Sequence, residues 1–446
     1  VHILFVHKEY PGHYGHVASA LAKLPGVECT FLYNNLPTRV QRVRGQRPTP
    51  TARPVHNTTT VQGGTTVANI TEWDDGGVRL IPYASRGASQ ETHPSSLHFE
   101  ISTWHSHAVL QALRDRADLR PDLVVGHGSY GTALHLGRLL GCPTINYCEF
   151  FIPPGLPHLT FRPEYPPREQ DYLARHAFNA VNLLCLEEAT ACYCPTEWQK
   201  SLFPSVFQPK IRTIFDGVDR RFWYRREVLR KVGNLPPFPA DTRIVTYCAY
   251  GLEPIRGFDI FMKVAKRICD ERKDVVFIVV GADRPYYGSG RQDQATSFRD
   301  HVLAQANYDL SRFVFTGLIL EDQLVEILSI SDLHVYLTVP FVLSWSLMNA
   351  LACACTVLGS DTPPVREMIT PEVNGLLAGF DDVDDLTRQA LQILNDPEQF
   401  RPLGVAGTRH IDENYCLEVT IPKTMDFFRE VAGERNEPFA NPMTPS

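Results

Sequence analysis

No apolar run in this chain approaches the ~18 residues that a membrane-spanning helix needs, so the sequence offers no candidate for one. Basic residues are not in excess either. With 43 Lys and Arg against 50 Asp and Glu, the net charge is −7, which argues against a nucleic-acid partner. The opening stretch Val1-His2-Ile3-Leu4-Phe5-Val6-His7 lacks the basic segment and small-residue cleavage site of a secretory signal and reads as a strand. A cytoplasmic location is the default expectation. Cys-x-x-Cys spacing is also missing. The Cys-x-Cys pairs Cys192/Cys194 and Cys353/Cys355 match no zinc framework and sit in apolar runs, as free buried thiols would. No tandem repeat and no dedicated carboxylate cluster is evident, and no metal site is expected.

What is present is a globular composition, 43% apolar and 21% charged over 446 residues, which suits two domains better than one. Strand-like and helix-like stretches alternate twice, first from Val1 to about 205 and again after the Pro-rich stretch Asn234–Pro239. This predicts an α/β protein of two doubly wound, Rossmann-like domains facing a central cleft. The expected boundaries are an N-terminal domain over 1–205, a C-terminal domain over 206–415, and a helix within 416–446 crossing back before a frayed tail. Residues 34–100, rich in Thr, Pro, Arg and Gly, read as an irregular excursion. The cluster Arg39, Arg42, Arg44, Arg47 and Arg53 is either a solvated face or a peripheral contact to an anionic membrane surface through 39–53.

Two features carry chemistry in the second half. One is the elbow Val339-Pro340-Phe341-Val342-Leu343-Ser344-Trp345-Ser346-Leu347-Met348-Asn349, which follows the strand-like run Asp332–Leu337 and opens a helix. In open parallel sheets, ligands sit at the carboxyl ends of strands, where helix N-termini offer N–H groups to phosphate. The other is Tyr250-Gly251-Leu252-Glu253-Pro254-Ile255-Arg256-Gly257, which puts a guanidinium after another strand. Arg256 alone reads as a surface arginine. Joined to the elbow, it reads as a diphosphate grip.

These segments resemble the sugar-nucleotide site of glycosyltransferase family 4, the retaining enzymes of GT-B fold, and the resemblance extends over nearly the whole chain. It implies a metal-independent transferase with no cofactor. Its expected donor is a UDP- or GDP-linked nucleotide-sugar, and its acceptor a glycan, a lipid-linked molecule or a small molecule. By the resemblance, Arg256 takes the position of a family lysine that binds the leaving diphosphate, while Tyr250 or Gly251 stands where the family has an arginine. The family's two glutamates are replaced by Phe341 and Asn349, and its glycines by Leu343 and Ser344. Ser344, Trp345, Ser346, Asn349, Tyr250, Gly251 and Leu318 are the expected donor-binding residues on this side. Gly359–Glu367 and Asn374-Gly375-Leu376 match the family pattern.

In the first half, Gly12-His13-Tyr14-Gly15-His16 resembles the family's glycine loop, which makes Gly12 and Gly15 donor-facing and His16 acceptor-side. His127, at the end of the run Asp122–Val125, is expected in a cleft and corresponds to a family histidine that touches the donor sugar; the alternative is a helix-capping histidine. With Arg256 it is the expected catalytic pair. Glu149 either orients the acceptor or pairs with a basic group. The functional expectation is retaining sugar transfer in glycan or polysaccharide synthesis. A catalytically impaired GT-B protein that binds a nucleotide or glycan, or partners an active transferase, is the alternative, with a sugar-nucleotide epimerase as a third reading.

Overall fold

Ile3, Leu4, Phe5 and Val6 of strand β1 (His2–His7) are all fully buried. Neighbours along a strand point to opposite faces, so four buried residues in a row require cover on both sides, as in a parallel sheet flanked by helices. Packing follows that rule. Ile3 and Phe5 enter one core with Phe31 and Val125, and Leu4 and Val6 enter another with Leu32, Val109 and Val124.

The computed structural model describes residues 1–34, 53–62, 65–85, 87–114, 116, 118–286 and 297–433, with the backbone alone over 53–71. The sheet of the first unit adds β2 (Glu28–Asn34), β3 (Arg53–Gln62), β4 (Thr65–Asp75), β5 (Val78–Tyr83), β6 (Leu123–His127), β7 (Thr144–Tyr147), β8 (Ala191–Cys194) and β9 (Ile211–Thr213). Their spatial order is β3-β4-β5-β2-β1-β6-β7-β8-β9. Among the described residues, only the β3/β4 and β4/β5 pairs of this sheet are antiparallel. This corrects the reading of 34–100 as irregular, because the described part supplies three strands of the sheet. Asp75 pairs with Val78 across Gly76 and Gly77, whose φ of 64° and 95° provide the left-handed geometry of a two-residue hairpin. The basic stretch 39–52 lies outside the described residues, as does the Arg53 side chain.

The first unit consists of Val1–Pro153, Glu169–Gly217 and the chain from Thr420 onward. The expected boundary at 205/206 falls inside it, since Ile211 of β9 pairs with Cys192. In the final helix, Leu417–Ala432, Phe428 is fully buried against Phe5, with ring centroids 6.3 Å apart. The stretch 130–140 after β6 is not one continuous helix. Gly131 and His135 both take left-handed φ values (62° and 64°), and only Leu136–Leu140 is α-helical.

The second unit, Pro154–Arg168 with Val218–Val419, has an all-parallel sheet. Its strands are β10 (Arg243–Gly251), β11 (Val275–Ala282), β12 (Phe313–Gly317), β13 (Leu333–Tyr336), β14 (Val357–Ser360) and β15 (Leu376–Ala378), in the order β12-β11-β10-β13-β14-β15. Segment Pro154–Arg168 is fixed to this unit by a buried fork. Arg162 donates to both Asp259 oxygens (3.2 and 2.7 Å) and to the Pro254 carbonyl (3.0 Å). Both doubly wound sheets were expected, whereas an arm of the first half built into the second was not. Among the described residues, no helix is long and apolar enough to cross a membrane. All eleven cysteines are free thiols.

Candidate functional site

In the second unit, β10 and β13 are parallel neighbours, so the segments that leave their carboxyl ends meet. Val339 N–H donates to the Ile255 carbonyl (3.0 Å), which ties the elbow to the turn that carries Arg256. Arg256 is only 5% exposed. Its Nη1 donates to Thr338 Oγ1 (2.9 Å), and Tyr247 OH donates to its carbonyl (2.7 Å). The guanidinium stands over the Phe341 ring, 5.4 Å from its centroid, a cation–π contact. Phe341 stacks in turn on His158 at 5.4 Å. An aromatic ring thus occupies the place beside the cation where the resemblance would put a carboxylate.

The helix Trp345–Ala352 begins on Ser344, whose side chain accepts from Ser346 N–H (3.3 Å). Ser344 N–H donates to Tyr336 OH (2.9 Å), and Ser346 Oγ donates to the Cys248 carbonyl (3.2 Å). Burial pushes the Tyr336 hydroxyl up, against the opposing charge of Arg256, which it touches. Arg256, Ser344 and Ser346 are therefore brought together. Asn349 is buried one turn into the same helix, and Trp345 at its tip is more than a third exposed. Tyr250 and Gly251 lie on the β11 side of β10. The Tyr250 ring meets Tyr286 at 4.1 Å, and a Cβ at Gly251 would fall 2.3 Å from the Arg284 carbonyl oxygen. Leu318, half-buried after β12, lies one strand further out.

In the first unit, β1 lies beside β6, with Val6 opposite Gly126, so His7 and His127 end adjacent strands. Their rings stand 5.5 Å apart. His13, in the following loop, completes the group. Its Nδ1 is 3.3 Å from His7 Nε2, and its Nε2 is 3.8 Å from Glu149 Oε1. His127 Nε2 is 3.5 Å from Glu149 Oε2. His127 is completely buried under His7, His13, Tyr130 and Tyr147, so the expectation of a ring open to a cleft is corrected. Neither of its ring nitrogens makes a hydrogen bond.

Burial lowers His7 well below the usual imidazole range, helped by the neighbouring His13, His127 and Lys8. Burial likewise brings His127 down to about 4, although the Glu149 carboxylate opposes this. Burial would raise Glu149, but His127, His13 and Lys8 outweigh it and hold the carboxyl at about 2. At neutral pH, neutral buried imidazoles thus face a carboxylate. Lys8 Nζ lies over the Tyr130 ring, 3.9 Å from its centroid.

Gly12 has a φ of 49°, and a Cβ there would fall 2.4 Å from His7 Nδ1; a Cβ at Gly15 would fall 2.1 Å from that of Pro11. Both glycines are thus required by packing within the loop. His16 Nε2 lies 2.7 Å from the Asp216 carbonyl oxygen, a contact internal to the unit. His7 and His13 are the residues that sequence reasoning did not single out. The signal for His7 was a histidine closing each of two strands, His7 and His127, which becomes informative only once β1 is known to pair with β6; His13 follows in the next loop.

A family model described as "Glycosyl transferase family 4 group" matches residues 58–222, and one described as "Glycosyl transferases group 1" matches residues 242–396. A GDP-mannose-dependent monoacylated alpha-(1-6)-phosphatidylinositol monomannoside mannosyltransferase of Corynebacterium glutamicum is 25% identical over 40% of this chain and 45% of its own length. An alpha-maltose-1-phosphate synthase of Mycobacterium tuberculosis is 25% identical over 52% of this chain and 59% of its own. The chain thus spans about half the length of the curated relatives it matches. Among solved structures, sucrose-phosphate synthase of Thermosynechococcus elongatus superposes with a TM-score of 0.71 at 16% identity, covering 97% of this chain and 99% of the other. Anabaena HepE, in complex with UDP and glucose, gives 0.62 at 11% identity, covering 96% and 99%. These likenesses bear on the fold.

Proposed function

Because this chain belongs to glycosyltransferase family 4 and has the two-domain, Rossmann-like GT-B fold, we propose that it moves a sugar from a nucleotide-sugar donor to an acceptor hydroxyl. In this reading, configuration at the anomeric carbon is retained, the reaction serves glycan or polysaccharide synthesis, and no metal takes part in the transfer. The observation that carries it is the buried Arg256, held at the carboxyl end of β10 beside the tip of the helix Trp345–Ala352.

The bond that breaks joins the anomeric carbon to the leaving diphosphate, and the bond that forms joins that carbon to the acceptor oxygen. The acceptor proton passes to the leaving phosphate, so no side-chain base is needed. Arg256 and the helix tip stabilise the charge that gathers on the diphosphate, and they are fixed in place before the reaction begins. A UDP- or GDP-linked donor is supported by the GDP-mannose dependence named for one relative and the UDP held by one neighbour. The acceptor class is a glycan, a lipid-linked molecule or a small molecule. Work on a lipid-linked acceptor would place the chain at the cytoplasmic face of a membrane. The relatives named above are a transferase and a synthase, which favours an enzyme over a binding-only protein.

The test is release of nucleoside diphosphate by the purified chain from a panel of UDP- and GDP-sugars. Arg256→Ala should lower that release by more than about tenfold, as expected for a lost transition-state contact. Nucleotide binding without turnover across the panel would instead identify a binding-only protein, and no binding would remove both readings.

A further inference from the structure

His7, His13 and His127 each bring one ring nitrogen within 4.8 Å of the other two. Nitrogens bound to one tetrahedral zinc-class ion at ~2.0–2.1 Å stand about 3.3–3.4 Å from each other, and His7 Nε2 lies 3.3 Å from His13 Nδ1. The surroundings of each ring fit a ligand role. His7 Nδ1 lies 2.8 Å from the Glu9 carbonyl oxygen and 3.0 Å from the Glu9 amide nitrogen; of the two tautomers, the one that donates to the carbonyl leaves Nε2 with its lone pair turned to the cluster. His13 directs Nδ1 to the cluster, and its Nε2 faces the Glu149 carboxylate at 3.8 Å, an ion-pair rather than a hydrogen-bond distance that still puts a carboxylate behind the ring.

His127 supplies an independent observation. It is fully buried, and neither ring nitrogen has a hydrogen-bond partner. A buried polar group left in that state is destabilising, and a bound ion would satisfy one of the two nitrogens. A purely hydrogen-bonded His–His–Glu network would not, because Glu149 stays 3.5 Å away. The Lys8 ammonium, over the Tyr130 ring, adds positive charge to the neighbourhood, and the Glu149 carboxylate offsets it.

We propose that His7, His13 and His127 bind a divalent transition-metal ion of the zinc class, with the Glu149 carboxylate behind His13 and the fourth position open to water or a ligand oxygen. Three imidazoles suit such an ion and not Mg²⁺ or Ca²⁺, which take oxygen ligands. The sequence reading expected no metal, and the transfer chemistry above does not use this one. His127 has two ring nitrogens, so coordination at one leaves the other.

The experiment is titration of the chelator-treated chain with Co²⁺, read by visible absorption, and with Zn²⁺, read by calorimetry. One equivalent should bind with the ligand-field bands of a tetrahedral, nitrogen-rich site, and Mg²⁺ should give no heat. Loss of an outer-shell partner costs ~10–100-fold in affinity. Glu149→Gln should therefore weaken binding by about tenfold, and His13→Ala, which removes a ligand, by more than about a hundredfold. His13 is partly exposed, so its loss spares the core. His13→Cys gives a second readout, a thiolate-to-cobalt charge-transfer band absent from the parent. Lack of any 1:1 binding, or binding indifferent to His13→Ala with no such band in His13→Cys, overturns the proposal.

Discussion

At the strand ends of the first unit, His7, His13, His127 and Glu149 crowd together, and His127 keeps two ring nitrogens without hydrogen bonds. At those of the second, Arg256, Thr338, Tyr336, Ser344 and Ser346 bond largely to one another or to nearby backbone. The second arrangement is locked before any ligand arrives, which is what electrostatic stabilisation of a leaving group requires. The first has polar atoms still waiting for a partner, which native interiors seldom tolerate without a reason. Similar sheets can thus present either a finished site or an open one, and the difference lies in which donors and acceptors remain unspent.

The largest effect that could break this comparison concerns the fork that holds Pro154–Arg168 to the second unit. Arg162 and Asp259 are both almost fully buried, and the pair is bidentate. Arg162→Ala leaves a buried carboxylate alone and should cost about 3–5 kcal/mol. The double change Arg162→Leu with Asp259→Leu should recover most of that loss. Peptide-resolved hydrogen exchange in denaturant would assign the loss to each unit. A locked second unit predicts that only its own peptides respond. A loss under about 1 kcal/mol, or an equal loss in the first unit, would mean the fork does not carry the rigidity assigned to it.

Acid supplies a matched pair of probes outside both sites. His105 in the first unit and His334 in the second are each brought to about 4, chiefly by burial. The unfolded chain takes up these protons near pH 6.5 and the folded chain only near 4. Stability should therefore fall as pH drops through that window and level off below it. Each histidine accounts for about 3 kcal/mol at most. His334→Gln should flatten the fall in the second unit and leave the first unchanged. An unchanged slope in the second unit would show that His334 is not the group responsible.

How legible all this was depends on where the information resides. Strands β10 to β14 and the helices between them stand out because β-branched runs and helical periods alternate without interruption. Arg256 and the elbow were readable together, since each follows such a strand. Strands β3 and β4 were not, because Thr58, Thr59, Thr60, Thr65 and Thr66 count as polar in a hydrophobic pattern while favouring strands by their branching. The imidazole group was hidden for another reason. His7 and His127 are 120 positions apart; His127 stood out alone as a cleft candidate and His7 reads as an ordinary core histidine, so only the β1/β6 register joins them. The replacement of a family glutamate by Phe341 was visible, but its stacking between Arg256 and His158 was not.

The smallest effect tests how finished the second site is. Ser344 Oγ caps the helix by accepting from Ser346 N–H, and it pairs with Ser346 Oγ at 3.0 Å. The Ser346 hydroxyl proton goes to the Cys248 carbonyl. In that pair the proton must then come from Ser344, and a hydroxyl has only one to give. Ser344 therefore has no donor left for a phosphate unless the network rearranges. Ser344→Ala should lose the cap, worth about 1 kcal/mol, and Ser344→Gly only a few tenths. Both should change nucleoside diphosphate affinity by less than about twofold, since the arginine and the helix amides remain. A tenfold weaker affinity in Ser344→Ala, measured by calorimetry beside its unfolding curve, would show that the hydroxyl turns to the ligand and that this site, too, completes itself only on binding.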